Sequence, residues 1–229
     1  MESNKLISNN KNYSQILNAK TIVIKIGSSI LIDPKKNVIK NNWLNSLLDE
    51  IAFLKKNGKN IIIVSSGSIA LGKSVLNLTS KKLRLDESQA SAAIGQIKLA
   101  QAYDLILKKY KIYTAQVLLT SDDSQNRRRY LNIRSTLKSL LKMGVIPIVN
   151  ENDTVATEEI KFGDNDRLAA QVALITEANL LILLSDIDGL YDKDPNINQD
   201  AKHLSLIKEV TKEMVNMASQ TTSLNSKGG

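Results

Sequence analysis

A lysine inside an apolar run is the first residue of this sequence that calls for a chemical explanation. The run Thr21-Ile22-Val23-Ile24-Lys25-Ile26-Gly27 is β-branched and apolar except at Lys25, and an ammonium in such surroundings is costly unless it meets a partner or a ligand. Two readings stay open: a lysine snorkelling at a strand end, or a positive charge offered to a phosphoryl group in transfer, where catalysis is mostly positioning and charge stabilisation. The stretch 150–167 is the second such feature. It holds Glu151, Asp153, Glu158, Glu159, Asp164 and Asp166, interleaved with Asn150, Asn152 and Asn165. Such a cluster suits a cation or an ammonium group, or is a solvated loop, and an N-cap role for Asp164 or Asp166 is compatible with either. The third is Ser65-Ser66-Gly67-Ser68, which joins one apolar run to another, Ile69-Ala70-Leu71. Backbone N–H groups at a strand-to-helix junction of this kind face an anion.

Two further patterns are weighed against these. Gly67 followed at the right spacing by Gly72-Lys73-Ser74 satisfies the Walker A expression, and the apolar run 180–186 ending in Asp186 could serve as its Walker B. The P-loop reading is disfavoured because Ser68-Ile69-Ala70-Leu71 reads as the first apolar turn of a helix, which carries Lys73 away from the anion site. Asp192, Asp194, Asn196, Asn198 and Asp200 alternate like calcium-loop ligands, but the sixth position is Ile197 and the twelfth His203, where Gly and Glu are required. No residue set is singled out as metal ligands.

The composition narrows the chemistry. With no cysteine and His203 as the single histidine, disulfides, thiolate metal sites, cysteine nucleophiles and any mechanism needing two histidines are excluded. The work falls to Lys, Arg, Asp, Glu, Ser, Thr or Tyr. The net charge of +8 invites a nucleic-acid reading, yet 25 of the 31 basic residues are lysines spread along the whole chain. Four of the six arginines, Arg127, Arg128, Arg129 and Arg134, fall within eight residues, with only Tyr130 among them for base stacking. That patch reads as a solvated helix start, an anion contact or a subunit interface, and nucleic acid is disfavoured. No apolar run approaches the ~18 residues of a membrane span, and residues 1–20 form a polar, Asn-rich lead without an apolar signal core. A cytoplasmic protein without membrane contact is expected.

These side chains need a frame. Apolar runs at 21–27, 61–64, 114–119, 145–149 and 180–184 read as buried strands. Between the first two, Leu44, Leu47, Leu48, Ile51 and Leu54 recur at helical spacing and are stopped by Gly58. The same test places helices at about 86–109, 128–143 and 166–177. Strands alternating with helices specify an α/β fold, a three-layer α/β/α sandwich with a mainly parallel central sheet. Two short strands at 154–157 and 159–162 read as a hairpin that brings Asp153 and the 163–166 turn together. Ligands of open α/β sheets gather at the carboxyl ends of strands. In this sequence those ends carry Lys25 and Gly27, Ser65 to Ser68, Asn150 to Asp153, and Ser185, Asp186, Asp188 and Gly189.

Taken in order, these motifs resemble the amino acid kinase family over about residues 20–229. The carriers are Val23-Ile24-Lys25-Ile26-Gly27-Ser28-Ser29, Ile63 to Gly72, Ala93-Ile94-Gly95-Gln96, Gln116-Val117-Leu118-Leu119-Thr120, Val149 to Thr157, Lys161-Phe162-Gly163-Asp164-Asn165-Asp166, and Leu184 to Tyr191. The resemblance implies transfer of the ATP γ-phosphoryl group, with Mg²⁺, to the γ-carboxylate of L-glutamate at the head of proline biosynthesis. Within it, Lys25 is similar to the catalytic lysine and Asp166 to the residue that orients it. Ser66, Gly67, Asp153 and Asn165 fall at the substrate, where a carboxylate such as Asp153 suits an amino acid's ammonium. Lys25, Ser185, Asp186, Ser226, Lys227, Gly228 and Gly229 fall at the nucleotide. The hairpin is expected to cover a labile acyl phosphate.

The resemblance also sets expectations for the whole chain. Residues 21–229 read as one kinase domain behind the 1–20 lead, cut short within the nucleotide loop at Ser226-Lys227-Gly228-Gly229, before a second catalytic lysine, and without the RNA-binding-like C-terminal domain of many members. Implied partners are L-glutamate, proline as feedback inhibitor, further copies of the chain in a homo-oligomer, and the glutamyl phosphate reductase that would consume the product. Other readings are a family member acting on aspartate, acetylglutamate or a nucleoside monophosphate, or a catalytically weak binding chain.

Overall fold

The computed structural model describes residues 16–80, 83–155 and 165–215. Contacts divide the chain into two compact units, Met1–Leu184 and Ser185–Gly229.

In the first unit the five apolar runs form one sheet: β1 (Thr21–Ile26), β4 (Asn60–Ser65), β5 (Thr114–Leu119), β6 (Ile146–Glu151) and β7 (Leu180–Leu184). Their order is β5-β6-β4-β1-β7, and every pairing is parallel. β1 therefore lies inside the sheet, flanked by β4 and β7, and its pleat deals successive side chains to opposite faces. Ile22, Ile24 and Ile26 join Ile61, Ile63, Ile146 and Ile148 in one core. It is closed by Leu44, Leu48 and Ile51 of α2 (Asn41–Lys56) and by Leu99, Tyr103, Ile106 and Leu107 of α4 (Leu85–Leu107). Val23, Ile62, Val64 and Val149 face the other core, closed by Leu137 of α6 (Arg127–Lys142) and Leu168, Val172 and Ile175 of α7 (Asn165–Thr176). Two faces, each covered by helices, explain why the strands read as continuous rather than alternating apolar runs. Lys25 shares its parity with Val23, so the pleat sends it toward the α7 side.

The shorter elements are α1 (Ser28–Leu31), α3 (Ser68–Val75), α5 (Ser121–Gln125) and a hairpin of β2 (Ile32–Asp33) with β3 (Val38–Ile39). That hairpin has no sequence signature, because two-residue strands are too short to show alternation. Its turn is held by Asp33, which accepts the backbone N–H groups of Lys35 at 2.8 Å and Lys36 at 3.1 Å. Those bonds hold the pKa of the Asp33 carboxyl below its ordinary value. The expected strand 154–157 does not begin as one: Thr154 lies in a turn and Val155 in a bend, with the Thr154 hydroxyl donating to Asn152 Oδ1 at 2.6 Å. A short side-chain bond of this kind competes with a sheet ladder. The rest of the expected hairpin, with Asp164, lies outside the described residues.

The second unit contains β8 (Leu190–Tyr191) paired antiparallel with β9 (His203–Leu204). His203 is exposed, stacked edge-on to Tyr191 at 5.3 Å between ring centroids. The alternating acids form a turn rather than a cation cage: Asp194 accepts the Asn196 N–H at 2.9 Å, and Asp200 pairs with Lys193 at 2.7 Å. Among the described residues no helix is long and apolar enough to cross a membrane.

Candidate functional site

The carboxyl ends of β1, β4 and β6 bring together residues far apart in sequence. Lys25 is 9% exposed, and its Nζ lies 2.6 Å from Asp166 Oδ1. Asp166 is the second residue of α7, where the unpaired N–H groups and the helix dipole favour a negative charge. Its Oδ1 is buried and receives no directed hydrogen bond, so the contact with Lys25 is ionic, a charge set against a charge. The neighbouring residue, Asn165, reaches the other way: its Nδ2 donates to Ser66 Oγ at 2.6 Å. Asn165 Oδ1 is buried without a donor among the described residues, a polar acceptor left for something else to satisfy.

Ser66 and Gly67 form the bend between β4 and α3. Gly67 has φ +104°, and a Cβ there would sit 2.9 Å from Ile32 Cγ1, so glycine is required both for the conformation and for the space. Past the bend, the Ser68 hydroxyl donates to Asp153 Oδ2 at 3.0 Å and receives a long contact of 3.4 Å from Asn150 Nδ2. Ser68, Asn150 and Asp153 are all buried. Three contacts, Lys25 with Asp166, Asn165 with Ser66 and Ser68 with Asp153, are thus joined through neighbouring residues of α7 and of the Gly67 bend. Together they offer one cation, two carboxylates, an amide acceptor and the open backbone of a glycine bend. That donor set suits a ligand carrying both an ammonium and anionic groups.

Two supporting residues are less visible in sequence. Gln96 donates to the Glu151 backbone oxygen at 3.1 Å, holding the end of β6. The hydroxyl of fully buried Tyr103 lies 2.8 Å from Ser65 Oγ, and burial pushes the pKa of that phenol well above its ordinary value despite the bond to Ser65. Gln96 is marked only by sitting in a conspicuous motif, whereas Tyr103 reads simply as one more apolar residue of a helix.

Gly72, Lys73 and Ser74 are helical residues of α3, and Lys73 Nζ donates to the Ser80 backbone oxygen at 2.6 Å, outside the three contacts. Ser185 and Asp186 belong to the second unit, where the Ser185 hydroxyl donates to Asp186 Oδ1 at 3.1 Å. Ser226, Lys227, Gly228 and Gly229 lie outside the described residues. Of the arginine group, Arg129 pairs with Asp123 at 3.2 Å, and Arg134 pairs with Glu177, which Lys138 also contacts at 2.9 Å. No three His, Cys, Asp or Glu side chains converge on a common point among the described residues.

The profile of the amino acid kinase family matches residues 20–228. The glutamate 5-kinase of Ruegeria sp. (strain TM1040) is 54% identical over 211 residues, 92% of this chain and 57% of that protein. That of Agrobacterium fabrum (strain C58) is 55% identical over 208 residues, 91% of this chain and 53% of that protein. The chain therefore spans little more than half the length of the curated relatives it matches. In fold it is similar to the crystal structure of UMP kinase from Ureaplasma parvum, with a TM-score of 0.58 over 88% of this chain and 80% of that one, at 19% identity.

Proposed function

This chain belongs to the amino acid kinase family, and from that premise we propose that it transfers the γ-phosphoryl group of ATP to the γ-carboxylate of L-glutamate, releasing ADP and γ-glutamyl phosphate. The observation that carries the reading is Lys25 Nζ held 2.6 Å from Asp166 Oδ1 at the strand ends, one residue from an amide that reaches the Ser66 bend. The names of the relatives, glutamate 5-kinases more than half identical to this chain, support the choice of substrate.

The reaction asks little covalent chemistry of the protein. A glutamate side chain, with an ordinary pKa of about 4.3, is already ionised at neutral pH. Its oxygen attacks the γ-phosphorus as the bond to the β-phosphate oxygen breaks, and no general base is needed. What must be supplied is alignment and positive charge. Lys25 is the residue placed to neutralise charge on the moving phosphoryl group, and Asp166 fixes where its ammonium points. Asp153 is suited to the substrate ammonium. Asn165, Ser66 and the Gly67 bend are suited to its carboxylates. Ser185, Asp186 and the segment Ser226, Lys227, Gly228 and Gly229 are assigned to the nucleotide. Mg²⁺ is assigned to the nucleotide phosphates, a ligation typical of this ion, which keeps several waters and takes few protein groups. When bound it supplies charge to the phosphates.

The same reading assigns proline as a feedback inhibitor, a homo-oligomer as the working form, a glutamyl phosphate reductase as the consumer of the labile product, and the cytoplasm as the compartment. Its test is substrate-dependent ADP release across glutamate, aspartate, N-acetylglutamate and UMP. Glutamate alone is expected to raise the rate; release driven by any of the others in its place would overturn the assignment.

A further inference from the structure

We propose that Ile32 of β2 is a positioning residue that sets how the Ser66-Gly67 bend stands relative to the turn after Lys25, a role that rests on the glutamate reading above. From Lys25 the chain ends β1 at Ile26, passes through Gly27 and α1, and enters β2 at Ile32. This short segment meets the bend at both of its ends. At its start, the Ser66 N–H donates to the Ile26 carbonyl oxygen at 3.2 Å. At its end, the buried Ile32 side chain lies behind Gly67. A Cβ on Gly67 would stand 2.9 Å from Ile32 Cγ1 and 3.2 Å from its Cδ1. Apart from Ser66 and Ser68, no other atom of the described residues comes within 4 Å of that point. The place of the missing Cβ is therefore backed by one side chain.

The two attachments do different work. The hydrogen bond fixes one point of the bend against β1, and the apolar contact several residues further on sets its depth. The bond from the Leu71 N–H to the Gly67 carbonyl oxygen, at 3.1 Å, fastens the bend to its own helix α3 and moves with it. Ile32 is in turn held from its other side, paired with Ile39 of β3 and packed in the core that also contains Leu71. Close-packed side chains transmit displacement because they have no void to yield into. In the proposed reaction Lys25 faces the moving phosphoryl group and the bend is assigned a carboxylate of glutamate, so their spacing is the alignment of donor with acceptor. A misplacement of about 1 Å can cost about 10²-fold in rate. Shortening Ile32 leaves space behind the bend and removes no group assigned to either ligand, so the loss belongs in kcat rather than in KM.

The experiment uses the full chain with Ile32→Ala, which removes both Cγ1 and Cδ1, and Ile32→Val, which removes Cδ1 alone. Amide hydrogen exchange without any ligand follows the Ser66 N–H. Its control is the Asn60 N–H at the far end of β4, bonded to the Lys20 carbonyl oxygen at 2.8 Å, because a general loosening would expose both. Ser66 is expected to exchange about tenfold faster in Ile32→Ala, and measurably faster in Ile32→Val, with Asn60 unchanged. The kcat for glutamate-dependent ADP release is expected to fall about tenfold in Ile32→Ala and about threefold in Ile32→Val, with KM for glutamate and for ATP within about twofold of the parent. Equal acceleration at Ser66 and Asn60, an unaltered kcat in the variants, or a loss confined to KM would each overturn the proposal. A parent that releases no ADP with glutamate, while Ser66 alone exchanges faster in the variants, sinks the substrate reading and leaves Ile32 as the residue that holds the bend. Should Ile32→Ala fail to fold, Ile32→Val decides alone.

Discussion

An ammonium 9% exposed and 2.6 Å from a carboxylate is tolerable only because each charge compensates the other. Replacing Lys25 by Ala removes the positive charge from the position assigned to the moving phosphoryl group. The turnover number is expected to fall by about 10²- to 10³-fold or more, the usual loss for one preorganised charge-stabilising group, as read by ADP release at saturating substrates. Asp166→Asn keeps the shape but not the charge and is expected to fall in the same direction. Lys25 was legible in the sequence because an ion in an apolar run contradicts its surroundings. Tyr103 was not, because one hydroxyl among Leu99, Ile106 and Leu107 leaves no pattern to read. Tyr103→Phe deletes the 2.8 Å bond to Ser65, which is worth about 1 kcal/mol. A melting temperature lower by about 2–4 °C is expected for a domain of this size, and a melting temperature equal to the parent's would deny that the bond contributes.

At the scale of elements, the site depends on how closely α3 and α4 cross. A Cβ at Gly72 would lie 1.7 Å from the Ser91 carbonyl oxygen, the same separation as between a Cβ at Gly95 and that of Ser68. Both obstacles are backbone, so neither can swing aside. Gly72→Ala and Gly95→Ala must push the helices apart, and overpacking of this kind costs about 1–3 kcal/mol. Thermal unfolding should register it in both, and Gly95→Ala should also weaken glutamate binding because it displaces Ser68. The Walker-like spacing of Gly67 and Gly72 is thereby explained without a phosphate loop: one glycine makes a bend and the other a helix crossing. On the opposite face, Glu177 ties the end of α7 to α6 through Lys138 and Arg134. The Lys138 hydrogen bond, helped by the Arg134 charge, holds the Glu177 carboxyl below its ordinary value of 4.5. A carboxyl that is more acidic in the folded chain stabilises fully above the unfolded value and loses that contribution as pH falls through the lower folded one. The parent and Glu177→Gln should therefore differ in melting temperature near neutral pH, less so in high salt, and converge as pH drops below about 4.5. Strand and helix positions could be read from apolar periodicity. The β2–β3 hairpin and the crossing of α3 with α4 could not, since two-residue strands carry no period and a close crossing depends on what the missing Cβ atoms would have met.

For the molecule as a whole, the all-parallel sheet β5-β6-β4-β1-β7 brings Lys25, Ser66, Ser68 and Asp153 to one end of the strands, the end at which ligands of open α/β sheets gather. The net charge of +8 finds no single focus in the described residues: of the arginine group, Arg129 and Arg134 are paired with acids of the chain itself. What the sequence could not reveal is the set of cross-element bonds, Asn165 with Ser66 and Ser68 with Asp153, because spacing along a chain does not report which strand ends become neighbours. The sheet order supplies that. In the proposed reaction this strand-end cluster phosphorylates glutamate, with Lys25 rather than Lys73 as the working cation. The decisive experiment incubates the chain with ATP, Mg²⁺, L-glutamate and hydroxylamine, which converts an acyl phosphate into a stable hydroxamate. Glutamyl hydroxamate should form with the parent chain and with Lys73→Ala, and fall to background with Lys25→Ala and Asp153→Asn. No hydroxamate from the parent, or its loss in Lys73→Ala with survival in Lys25→Ala, would overturn the assignment of glutamate phosphorylation to Lys25.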